Sequence, residues 1–266
     1  MLSRLSHSIK RIKGKVILSH QRLLKRLCGE LPISLWYWVV FRSFMGLFTS
    51  KPDPICPPEG LFRTIGRSLS IPDLKDLLAD DLLGEWALDA DSLSLLWRVL
   101  WKEKPKMIFE FGSGVSTVVL AHYAVQVSLQ GNDCFVVSIE QNQEVRVNVE
   151  ARLTKSGLGK GVKIICVPLD NEGSYCLKDL HEVQRSLSDK WADLIFIDGP
   201  KGPPGCRFGT VPMSLQYCRD GARWLMHDAF RDGELSILRR WQHLPGITVE
   251  GIYPVGEGLA TGFVRR

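Results

Sequence analysis

The chain has 266 residues, 45% of them apolar, 24% charged and 9% aromatic, with 24 Gly and 14 Pro. That composition excludes collagen, coiled coil and wholesale disorder, and leaves an enzyme-sized folded body. Its charge of +5 is unevenly spread: residues 1–30 hold eight Lys or Arg against the single acid Glu30, so the other 236 residues carry −2. A net-negative body excludes a nucleic-acid footprint spread over the whole domain. Seven scattered cysteines without a Cys-x-x-Cys pair exclude a zinc ribbon and point to free, core-packed thiols in a reducing, cytoplasmic compartment.

Residues 1–72 read as a helical extension followed by a linker. Leu2, Leu5, Ile9, Ile12 and Val16 recur at steps of three and four with basic residues between them, the pattern of an amphipathic basic helix. The aromatic run Trp36-Tyr37-Trp38 follows, but Pro32, Ser34 and Arg42 interrupt the apolar stretch before it reaches spanning length. Two readings stay open: residues 1–48 make a peripheral contact with an anionic membrane surface, or they pack their apolar stripe on the main body. Pro52, Pro54, Pro57, Pro58 and Gly60 mark the linker.

From residue 73 to 266 helical and strand-like signals alternate. A helix through Leu93–Leu100 ends at Pro105, and Met107–Phe111 follows as the first strand. Val115–Leu129 reads as a helix, Phe135–Ile139 as the second strand and Glu144–Leu153 as a helix. Val162–Val167 is the third strand, Leu177–Leu187 a helix and Asp193–Asp198 a fourth strand. Ala222–Met226 is a fifth, Glu234–Gln242 a helix, and Thr248–Tyr253 with Leu259–Val264 a closing hairpin. Almost continuously apolar strands separated by helices predict an α/β fold with a doubly wound, mostly parallel sheet, whose ligand lies beyond the carboxyl ends of the strands.

The residues just past each strand are therefore the candidates. After the first come Glu110-Phe111-Gly112-Ser113-Gly114, then Ser116 and Thr117. Glycines there permit a tight turn, and the next helix offers free N–H groups. Glu110 would accept from an ammonium or hydroxyl and repel a pyrophosphate, and Thr117 stands where a dinucleotide fingerprint needs glycine. Glu140 closes the second strand, placed to chelate a ribose. The Trp residues at 86, 97, 101, 191, 224 and 241 read as packing. The irregular loop Pro203–Gly209 reads either as a wall of a substrate pocket, in which Arg207 could meet an anionic substrate, or as a Pro/Gly-stiffened connector.

Glu110-Phe-Gly-Ser-Gly, Ser138-Ile-Glu140 and Leu194-Ile-Phe-Ile-Asp198 resemble the first, second and fourth motifs of the class I S-adenosylmethionine-dependent methyltransferases. The resemblance runs from about Trp86 to Arg266. It implies that family's Rossmann-like seven-stranded sheet, which the closing hairpin fits, and S-adenosylmethionine as cofactor. It implies that Glu110 faces the methionine amino group through water or directly, that Gly112 and Gly114 form the turn, that Glu140 meets the ribose and that Asp170 lies near adenine.

Asp198-Gly199-Pro200-Lys201 looks like the catechol-type O-methyltransferase arrangement, a metal-binding Asp followed by a Lys general base. Asp228 fits that arrangement's second metal ligand. Oxygen ligands would favour Mg²⁺. The chain departs at Ala229, where that subgroup carries Asn. Without metal, His227 or Asp228 could serve as base. The expected activity is O-methylation of a small-molecule or glycan hydroxyl. The alternatives are a non-catalytic adapter that keeps the cofactor fold and is docked by the basic N-terminus to a membrane or acidic partner, and a nicotinamide-dependent oxidoreductase.

Overall fold

The computed structural model describes residue 88 and residues 90–176, 191–253, 255 and 257–266. The basic helix, the linker and the helix expected at 177–187 lie outside the described residues. Among the described residues no helix is long and apolar enough to cross a membrane.

In chain order the elements are α1 (Ala90–Glu103), β1 (Met107–Phe111), α2 (Val115–Leu129), β2 (Phe135–Glu140), α3 (Gln143–Lys155) and β3 (Val162–Cys166). After the undescribed stretch come β4 (Ala192–Ile197), two short 3₁₀ turns flanking α4 (Thr210–Ser214), β5 (Cys218–His227), α5 (Asp232–Trp241), β6 (Ile247–Tyr253) and β7 (Leu259–Val264). The strands form one sheet in the order β3-β2-β1-β4-β5-β7-β6. Pairing is parallel from β3 to β5, and β7 enters antiparallel between β5 and β6. This is the doubly wound, mostly parallel seven-stranded sheet that the alternation predicts.

Burial explains the pattern. Every residue of β1 and β4 is buried, as strands covered on both faces must be. Helix α2 is mostly apolar and is buried on all sides over Val115–Ala124. It packs Val118 and Ala121 against Val149, Leu153, Leu158 and Ile164, joining α2, α3 and β3 in one cluster. Each such aliphatic side chain contributes about 1.5–3 kcal/mol by leaving water. Trp97 and Trp101 pack edge-on to Tyr123, and Trp224 packs against Trp241. Trp191 departs from the expected packing role: it is 49% exposed, with the Arg266 guanidinium 4.0 Å over its ring. Cys134, Cys206 and Cys218 are buried free thiols.

At the amino ends of the strands, the Asp193 carboxylate accepts the backbone N–H groups of Lys106 (2.5 Å) and Met107 (2.9 Å) and pairs with Arg219 at 2.9 Å. It fixes β1 against β4 from below. All the candidate residues sit at the opposite, carboxyl end.

Candidate functional site

The chain runs outward from β1 to β2 and β3 on one side, then crosses to β4 and β5 on the other. The connections leaving these strands therefore diverge beside β1 and β4, and the crevice so formed is where an open α/β sheet binds its ligand.

The floor of the crevice is a contact between two backbones. Gly112 has φ +90, and a Cβ there would lie 2.7 Å from the Gly199 nitrogen. Conversely, a Cβ on Gly199 would lie 2.8 Å from the Gly112 Cα. Only a residue without a side chain fits at either position. Gly114, by contrast, faces open space. Its N–H donates to Thr117 Oγ1 at 2.8 Å, so the Thr117 hydroxyl caps the start of α2.

Thr117 then donates to Glu110 Oε2 at 2.7 Å, and Ser138 donates to the same oxygen at 2.6 Å. With the Ser138 proton so used, the Ser113 hydroxyl donates to Ser138 at 2.8 Å. Glu110 is wholly buried. Burial pushes its carboxyl from 4.5 up to about 7, against the opposing pull of the Ser138, Ser116 and Thr117 hydroxyls. Its second oxygen, Oε1, is buried with no donor at hydrogen-bonding geometry. Glu110 Oε2 is thus linked to the crevice through the hydroxyls of Ser138 and Ser113.

Glu140 is nearer the surface, at 6% exposure. Oε2 accepts the Ser113 N–H at 2.8 Å and Oε1 the Asn142 N–H at 2.9 Å. Burial raises its pKa, while the N–H groups of Asn142, Ser113 and Gln141 pull it back. One carboxylate thus locks the glycine turn to the end of β2. The carboxylate retains acceptor capacity for a hydroxyl donor.

Beyond β4 and β5, Asp198, His227 and Asp228 converge, with one ligand atom from each within 4.8 Å of the others. His227 Nδ1 lies 3.2 Å from Asp198 Oδ1 and 3.4 Å from Asp228 Oδ1. Asp228 has φ 62, is 4% exposed, and its Oδ1 has no hydrogen-bond partner. Donors held around a divalent ion by bonds of about 2.0–2.2 Å stand about this far apart. The three residues fit such an ion.

Arg207 does not face outward to meet a substrate. It is 5% exposed and turned into this cluster, where Nη2 donates to the Asp198 carbonyl (2.8 Å) and Asp228 Oδ2 (3.2 Å) and Nη1 to the His227 carbonyl (2.9 Å). Glu234 lies 3.8 Å from its Nε. Burial opposes its charge, but Asp198, Asp228 and Glu234 together outweigh burial and raise its pKa. Arg231 pairs with Asp228 Oδ2 at 2.7 Å.

Two further candidates lie at the surface. Asp170 is exposed and spends Oδ1 on the N–H groups of Glu172 and Ser174, both at 2.9 Å, closing its own turn. Lys201 is exposed at the rim. Its backbone is gripped by a residue the sequence reading passed over: the Gln141 side-chain Oε1 accepts the Lys201 N–H (2.7 Å), and Nε2 donates to the Lys201 carbonyl (2.9 Å). This clasp ties the loop after β2 to the loop after β4, on either side of β1. An amide one residue past a strand-end acid is the only sequence signal for it.

No family model matches the chain, and no curated protein matches it. Many solved structures do. Cofactor-bound Rv0187 from MTB is 20% identical, over 81% of this chain and 99% of that one, with a TM-score of 0.57. The SAH-bound Podospora anserina methyltransferase PaMTH1 is 16% identical, over 74% and 87%, at 0.55. The O-methyltransferase TomG from Streptomyces achromogenes, solved with SAM, is 16% identical, over 89% and 100%, at 0.53.

Proposed function

We propose that this chain, whose fold is that of the class I S-adenosylmethionine-dependent methyltransferases, transfers a methyl group from S-adenosylmethionine to a hydroxyl oxygen of a small-molecule or glycan acceptor. One observation carries the reading. Two buried carboxylates, Glu110 and Glu140, bracket the Gly112–Gly114 turn, and the Asp198, His227 and Asp228 cluster closes the same crevice. That crevice suits a cationic nucleoside better than a pyrophosphate.

S-adenosylmethionine bound there supplies an electrophilic methyl carbon on a sulfonium, and a divalent ion on the cluster supplies a Lewis acid that lowers the acceptor's pKa. The chain's own residues do the rest. Glu140 accepts from ribose hydroxyls while holding the Ser113 and Asn142 N–H groups. Glu110, through Ser138 and Ser113, balances an ammonium. Lys201, exposed on the loop that Asp198 opens, is the residue to which we assign the acceptor's proton, which it takes when its amine is in the neutral form. Alignment of acceptor and methyl carbon supplies most of the rate. Of the expected acids, Asp170 is the one we leave without a ligand role.

Calorimetry with S-adenosylhomocysteine tests the first half of the reading. Saturable heat with the wild-type protein, weakened at least about tenfold in Glu140→Gln, is expected for a lost charge-assisted hydrogen bond. Absence of heat, together with binding of a nicotinamide dinucleotide, would return the chain to the oxidoreductase class. Transfer of labelled methyl to a panel of phenols and sugars then identifies the acceptor class.

A further inference from the structure

We infer that Asp198, His227 and Asp228 form a mixed nitrogen–oxygen site that selects a first-row transition ion such as Mn²⁺, Co²⁺ or Zn²⁺ over Mg²⁺. The inference deepens the methyl-transfer reading and rests on it only for the use of the ion, because its readout is metal occupancy.

Three observations carry it. The first is the donor set: the position after Asp228 is Ala229, which has no side-chain ligand, and the third donor is instead the imidazole Nδ1 of His227. Imidazole suits first-row transition ions, whereas Mg²⁺ prefers oxygen and six near-ideal positions. The second is the buried, unpartnered Oδ1 of Asp228, aimed at that imidazole from 3.4 Å. A buried acceptor without a donor is costly, and an ion seated among the three atoms removes that cost.

The third observation is the charge around the cluster. Arg207 and Arg231 take the outer oxygen Oδ2 of Asp228, and Arg207 also stands 3.5 Å from Asp198 Oδ1. Two guanidinium groups thus offset two carboxylates before any ion arrives. A hard ion held by charge alone gains little in such a site. An ion that also binds nitrogen keeps an advantage that charge balance does not cancel. Cys206, on the same loop, adds no sulfur ligand: burial raises its pKa, and its thiol donates to the Pro200 carbonyl at 3.4 Å.

The full-length protein, freed of metal by chelation, is titrated separately with MnCl₂, CoCl₂ and MgCl₂. Bound metal is read by thermal shift and by the visible absorption of Co²⁺. Half-saturation by Mn²⁺ and Co²⁺ is expected at least about tenfold below that by Mg²⁺, following the preference of imidazole-containing sites. His227→Asn leaves an oxygen donor near the Nδ1 position, so it should collapse the Co²⁺ preference over Mg²⁺ and change the Co²⁺ spectrum while the metal-free melting temperature stays close to wild type. Should His227→Asn fail to fold, Asp228→Asn, which retains the imidazole, should weaken all ions alike and keep their order. Equal or tighter binding of Mg²⁺, an unchanged preference in His227→Asn, or no response to any ion overturns the inference. In the last case Arg207 is the cluster's resident cation, and the S-adenosylhomocysteine titration separately decides whether methyl transfer survives.

Discussion

Replacing Glu110 by Gln tests how the crevice handles charge. The carboxyl is wholly buried, and its pKa is raised by that burial from 4.5 to about 7. Between those values the folded protein keeps a proton that the unfolded chain releases. The stabilising contribution of protonated Glu110 is therefore fully present at low pH, declines as pH rises, and is lost once pH passes about 7. Linkage converts the shift into about 2.5 kcal/mol between pH 5 and pH 8. Glutamine keeps an oxygen for the Thr117 and Ser138 hydroxyls but does not titrate. Urea unfolding of both proteins at several pH values reads the difference directly. Glu110→Gln should gain on wild type by about that amount between pH 5 and pH 8. A difference between the two proteins that does not move with pH would refute the reasoning. The same proton links to ligand: S-adenosylhomocysteine, which carries an ammonium, should bind wild type more tightly as pH rises through 7, and Glu110→Gln should lose that dependence.

Three further outcomes follow from single contacts. Gly112→Ala puts a methyl 2.7 Å from the Gly199 nitrogen at φ +90, so it should cost about 2 kcal/mol or more in urea unfolding and abolish S-adenosylhomocysteine binding. Unchanged stability would mean that the two loops do not touch. Asp193→Ala strips the acceptor from the buried Met107 N–H and should cost about 1–3 kcal/mol, with ligand affinity unchanged below the melting temperature because the site is at the other end of the sheet. Gln141→Ala removes both hydrogen bonds to the Lys201 backbone. Global stability should move by less than about 1 kcal/mol, while hydrogen exchange at the Lys201 amide speeds by about tenfold or more; protection equal to wild type would show that the clasp does not hold in solution.

The elements were legible where local chemistry and burial agree. Pro105 and Gly112 bracket β1, and its apolar run is buried throughout, so periodicity and turn residues gave the same boundaries. β5 is longer than its apolar core suggests. Arg219, Asp220 and Gly221 are exposed and lie before the expected start at Ala222, yet pairing of Cys218 with Ala192 carries the strand back to residue 218. Among site residues, those next to glycine turns or at strand ends were visible one at a time. Arg207, in a loop of Pro and Gly, reads from sequence as a group that could meet an anionic substrate. It is buried because acids at 198, 228 and 234 converge on it, a convergence that exists only once β4, β5 and α5 are assembled.

The pattern of residues along this chain determined its fold class and the address of its site, because hydrophobic alternation and glycine placement act over a few neighbours. Tertiary structure alone decided which groups share a proton, which are sealed from water and which charges cancel. Those properties depend on distances between segments far apart in sequence, and on the loss of solvent that only the packed sheet imposes.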